Sequence, residues 1–143
     1  MLSENRRAKF DYKISETLEA GIELLGTEVK SAKEGRMNLA GSHVLARNGN
    51  AELLGVDIPA YQPKNAPKEY DSKRTRRLLL HKSEIARLTG MLHEKGVTCV
   101  PLAAYLKRGL VKIELGIGRS KKAHDKRATL KERAHAREMR AEK

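Results

Sequence analysis

Along the first part of the chain the apolar residues keep to one parity. Phe10, Tyr12, Ile14, Leu18, Ala20, Ile22 and Leu24 fall at even positions, with Thr17, Glu19, Gly21 and Glu23 between them. Period two puts successive side chains on opposite faces of an extended chain, so the pattern predicts a long strand with one buried face. GTEVKSAKEG follows, where Thr27 can cap a short helix and Gly35 can end it. In SHVLARNGNAELLGVDIP, Asn48-Gly49 divides two apolar runs, as a tight hairpin turn with positive φ requires. Leu54, Val56 and Ile58 alternate beyond it.

PAYQPKNAPKEYDSKRTRR has prolines, charges and no period, and reads as a long loop. HKSEIARLTGMLHEKG is the clearest helix. Ser83 is a candidate N-cap, Glu84 and Lys95 sit near the ends that favour their charges, and Gly96 suits the exit. Ile85, Leu88 and Leu92 form its apolar face. VTCVPLAAYLKRGLVKIELGIG then predicts two strands around Lys107-Arg108-Gly109, with Val111, Ile113, Leu115 and Ile117 on the inner face. Five or six strands with a single long helix before the last pair point to a mainly β fold with small helices. The architecture expected is an OB-like antiparallel β-barrel over residues 1–118, followed by a basic tail over 119–143.

Charge changes the picture most. The net charge is +12, and the 25 residues from Arg119 to Lys143 hold ten cations and four acids, half of the excess. Clustered positive charge points to a polyanionic partner: nucleic acid first, an acidic membrane surface second. A surface tuned for solubility would spread it more evenly. Cys99 is the single cysteine, so no internal disulfide can form, which fits a reducing cytosol. With no apolar run near the length of a membrane span and no signal-peptide pattern, a soluble, cytoplasmic monomer is expected.

Within the tail, Lys122, Lys126, Arg133, Arg137 and Arg140 fall within about 60° of one another on a helix of 100° per residue. Leu130 and Met139 are the only large apolar residues there and lie on nearly opposite sides. A helix in water is held mainly by a packed apolar face, which this one lacks. The tail is therefore expected to be largely disordered alone and helical when bound to phosphate. A solvated tail without a specific partner is the alternative. Five phosphate contacts would weaken binding on the order of a hundredfold between 50 and 200 mM salt. No opposing face of Trp, Phe or Leu exists for a membrane interface.

One Phe, four Tyr and no Trp are too few for a platform that stacks single strands, so recognition by shape and backbone is favoured. Lys73, Arg74, Arg76 and Arg77 form a basic patch before the long helix, and Asn5, Arg6, Arg7 and Lys9 another near the start. No two of the five histidines are three or four apart, and Cys-x-x-Cys, a phosphate-cradling glycine loop and a nucleophile motif are all missing. Neither an enzyme nor a metal or other cofactor is expected.

GTEVKSAKEGRMNL, SKRTRRLLLHKSEI, VPLAAYLKRGLVKIEL and KKAHDKR, with NRRAKFDY and EAGI, closely resemble the small protein B (SsrA-binding protein) family of bacteria, in order and at family spacing. The resemblance implies an OB-like barrel that binds the tRNA-like domain of transfer-messenger RNA and takes it to stalled ribosomes for trans-translation. It implies that the tail docks in the vacant mRNA channel near the decoding centre and becomes helical there. Contact with elongation factor Tu and alanyl-tRNA synthetase would be indirect, through the RNA.

Carried over by residue, the RNA-binding positions fall on Glu19, Leu79, His81 and Lys112. A carboxylate at Glu19 cannot hold phosphate but can accept from base amino groups or orient a cation. Leu79 can pack on a base, and His81 and Lys112 can donate. The decoding segment maps to His124, Asp125, Lys126 and Arg127, and Lys121, Lys122, Lys131, Arg133, Arg137 and Arg140 are further implied contacts at the decoding centre and mRNA channel. Taken without the resemblance, Leu79 reads as core, His81 as a pre-cap residue, Glu19 and Lys112 as solvated strand residues, and Asp125 as a helix cap. A generic RNA-binding or ribosome-associated protein with a basic extension remains the alternative function.

Overall fold

A computed structural model describes residues 1–62 and 69–121. The chain opens with β1 (Ser3–Glu4) and α1 (Arg6–Asp11), which takes the first part of the expected long strand. Asn5 explains the change. Its side chain accepts from the Ala8 amide at 3.1 Å, capping the helix, and donates to the carbonyls of Pro101 at 2.8 Å and Leu39 at 3.3 Å. A residue read as part of a basic patch is thus a buried N-cap.

The strand proper is β2 (Tyr12–Ile22), and there the even positions do turn inward. α2 (Gly26–Lys33) and α3 (Lys82–Leu92) both lie where expected, but neither Thr27 nor Ser83 is the cap. Each helix starts earlier, with a glutamate reaching back: Glu28 accepts from the Leu25 amide at 2.8 Å, and Glu84 from the His81 amide at 2.9 Å. The carboxylates also meet the positive end of their helix.

β3 (His43–Arg47) and β4 (Asn50–Leu54) form the expected hairpin, with positive φ at Asn48 and Gly49. β5 (Arg76–Leu79) begins inside the stretch read as loop. β6 (Val97–Lys107) and β7 (Leu110–Ser120) are the long final pair, turning at Arg108 and Gly109, again with positive φ. β7 runs two residues past the expected end of the barrel. Arg119 and Ser120 pair with Lys13 and Tyr12, and the Lys121 amide donates to the Asp11 carbonyl at 2.8 Å.

All pairings are antiparallel, in one sheet ordered β1-β6-β7-β2-β5-β4-β3. β3, at one end of this order, also comes against β6 near the other, so the sheet curls on itself as an OB-like barrel. α3 sits against β3 and β6 and drives Ile85 and Leu88 into the interior. There they meet Leu39, Leu53, Ile58, Leu78, Ile113 and Leu115.

The tightest crossing is at the end of β7. The register of β2 slips between Ile14 and Glu16, and Gly118 lies so close that an added Cβ would stand 2.0 Å from the Lys13 carbonyl oxygen. Backbone cannot give way cheaply. Gly118→Ala is expected to cost about 3 kcal/mol, read as a lower urea midpoint at unchanged slope.

Candidate RNA interface

Period two also sorts the residues of β5. Arg76 and Leu78 point inward; Arg77 and Leu79 point outward. Leu79 is 49% exposed beside a Leu78 that is fully buried. Leu79 is therefore a surface leucine and not core.

The outward face of β5 meets those of β2 and β7. Gly21 on β2 is opposite Leu79 on one side and Lys112 on the other. Its missing side chain leaves the floor low. A Cβ there would stand 3.2 Å from the Leu79 Cβ and 3.6 Å from the Lys112 Nζ. His81 closes one rim, where the chain turns into α3. The result is a recess of about 560 Å³ whose lining includes Glu19, Gly21, Arg77, Leu79, His81 and Lys112. Four residues spread from position 19 to 112 are gathered by three neighbouring strands and one helix cap.

Glu19 is fixed in place. The Tyr105 hydroxyl donates to Oε2, and the Lys107 ammonium reaches Oε1 at 3.2 Å. The Tyr105 hydrogen bond, then that from Lys107, holds the Glu19 carboxyl below its ordinary value of 4.5. In return, burial and the carboxylate push the Tyr105 phenol up to about 12. Glu19 stays ionised, with lone pairs left for further donors. The recess thus offers an acceptor, an ammonium, an imidazole and an apolar side chain. That set suits an exposed base and its backbone better than phosphate alone. Tyr105 and Gly21 were missed in the sequence reading. Their signal lay in strand pairing, which aligns Tyr105 with Lys112 and Gly21 with Leu79.

The basic patch divides. Lys73 is exposed, and Arg77 lines the recess. Arg76 is a correction: its side chain is 0% exposed and cannot touch RNA. Its Nε and Nη2 donate to Glu28 Oε2 at 2.9 and 2.6 Å, and its remaining donors go to the carbonyls of Val56, Arg74 and Ser72. Arg74 turns partly inward to the same carboxylate, and the Tyr70 hydroxyl adds a bond at 3.2 Å. Burial alone would raise the Glu28 carboxyl, but Arg74, the Leu25 amide and Arg76 together hold it low. This knot ties the approach to β5 onto α2, and so sets the height of Arg77 and Leu79 at the recess.

Lys121 ends the described chain. Lys122, His124, Asp125, Lys126, Arg127, Lys131, Arg133, Arg137 and Arg140 lie outside the described residues. Among the described residues no helix is long and apolar enough to cross a membrane.

Comparison with known proteins bears on this geometry. A family model described as "SmpB protein" matches residues 2–143. SsrA-binding proteins of Thermosynechococcus vestitus and Synechococcus elongatus are 51% and 50% identical over 139 residues. That span is 97% of this chain and 91% and 90% of theirs. A chain from a solved structure described as "tmRNA-SmpB: a journey to the center of the bacterial ribosome" is 47% identical and superposes with a TM-score of 0.70. The match covers 85% of each chain.

Proposed function

Since the chain belongs to the SmpB family, we propose that it is an RNA-binding adaptor, not an enzyme, that grips the tRNA-like domain of transfer-messenger RNA and delivers it to stalled ribosomes. The body holds the RNA through the recess at Glu19, Leu79, His81 and Lys112. The tail beyond Lys121 takes the vacant mRNA channel near the decoding centre, where its cations meet ribosomal RNA. The observation that supports this best is the gathering of those four positions in one recess on one face of the barrel.

The chemistry divides between the two parts. Lys112 and Arg77 supply charge, which gives affinity with little discrimination. Leu79 and the anchored Glu19 supply contacts that only an accessible base can use, which favours folded RNA with exposed loops over plain duplex. At equal salt, the full chain is expected to bind the tRNA-like domain more than tenfold tighter than ordinary tRNA or random duplex. Lys112→Met is expected to weaken that binding about tenfold and to lower the salt slope by about one. Equal affinity for all three RNAs would instead identify a generic RNA-binding protein.

A further inference from the structure

We propose that the RNA groove continues past Glu19 onto the tip of the β6–β7 hairpin. There Arg108 takes a backbone phosphate and Leu110 packs on a neighbouring unpaired base of the same RNA. The inference rests on the reading of the recess given above and extends its footprint.

A second hollow, of about 340 Å³, is lined by Glu19, Lys107, Arg108, Leu110 and Lys112. It shares Glu19 and Lys112 with the recess, so the two hollows adjoin across these side chains. Leu110 lies on the outward face of β7 with Lys112, while Val111 and Ile113 point to the core. It is 62% exposed, and Leu106, just before the turn, is 43% exposed. Neither leucine serves the interior, and polar residues are the usual choice beside a tight turn.

The turn itself is also chosen against local preference. Its first central residue has φ 53, a region that favours Asn or Gly. The other hairpin of this molecule obeys the rule with Asn48-Gly49, whereas this one holds Arg108 there. Lys107 is committed to Glu19 at 3.2 Å. Arg108 is exposed and has no carboxylate partner among the described residues. An exposed cation next to an exposed leucine, at the open end of a groove that begins on RNA-facing residues, fits a phosphate and the base beside it.

The test uses the full chain and a tRNA-like-domain RNA, with affinity measured across a salt series. Arg108→Asn keeps a residue suited to positive φ, and Leu110→Ser removes only exposed apolar surface, so both variants should fold. Arg108→Asn is expected to weaken binding three- to tenfold and to reduce the salt slope by about one. Leu110→Ser is expected to weaken it several-fold with the slope unchanged. Wild-type affinity in both variants, with a clear loss in Lys112→Met, would end the groove at Glu19 and overturn the inference while sparing the recess. Unchanged binding in all three would remove the recess reading as well. A loss confined to Arg108→Asn would leave a phosphate contact without a base platform, and the groove as stated would fall. Normal RNA binding with impaired tagging on stalled ribosomes would assign the tip to the ribosome and overturn it too.

Discussion

Deleting residues 122–143 is expected to change the affinity for the tRNA-like domain by less than about threefold at physiological salt, yet to abolish peptide tagging on stalled ribosomes. The two readouts separate because the two parts hold different RNA. The recess residues all precede the tail, on β2, β5 and β7, which pair without it, and at the start of α3. The removed segment carries eight cations against four acids and few apolar groups, which gives it little to contribute to the folded body. The cut belongs after Lys121, because Arg119 and Ser120 are strand residues and the Lys121 amide is bonded to Asp11. A cut at 118 would remove two rungs of the β2–β7 ladder and confuse folding with function. Loss of RNA binding together with tagging, in a truncated chain that melts normally, would refute the division of labour.

The largest effect on stability is expected from Glu28→Gln. The variant keeps the shape of the side chain but leaves the Arg76 guanidinium buried without its counter-charge. Breaking a buried pair from one side costs about 3–5 kcal/mol, against a total of about 5–15 kcal/mol for a typical domain. Urea denaturation should show it, beside Glu34→Gln as the control. Glu34 makes an exposed pair with Arg36 at 3.4 Å, and its loss should cost less than about 1 kcal/mol.

The same carboxylate sets an acid limit. Its folded pKa lies below the ordinary 4.5, so the folded state favours the ionised form. The contribution is therefore complete above pH 4.5 and is lost as the pH falls through the lower, folded value. In Glu28→Gln that part of the acid dependence should vanish. The knot also positions β5, so a surviving folded fraction of the variant should bind RNA more weakly through Arg77 and Leu79. A stability unchanged within about 1 kcal/mol would show that the knot is not what holds this segment.

Several features were legible because they are local. The alternation in β2 and β7, the Asn48-Gly49 turn and the apolar face of α3 each depend on residues a few positions apart. The caps were misread because Thr27 and Ser83 are good caps in isolation, while Glu28 and Glu84 reach further back. Arg76 was misread for the opposite reason. It sits in a run of cations, and only the strand parity shared with Leu78, together with a carboxylate 48 positions away, draws it inside.

Residue order alone was enough to show that the chain is mainly β, where its two longer helices lie, that its positive charge gathers at one end and, through its motifs, which family it resembles. Periodicity, turn chemistry and charge act over short distances and need no partner strand to be read. It took strand pairing to place Gly21 as a floor beneath Leu79 and Lys112, to anchor Glu19 on Tyr105, and to make one cation of the four in the patch, Arg76, part of the core. Those outcomes depend on which strands pair and in what register, and pairing brings together residues whose separation along the chain carries no local signal.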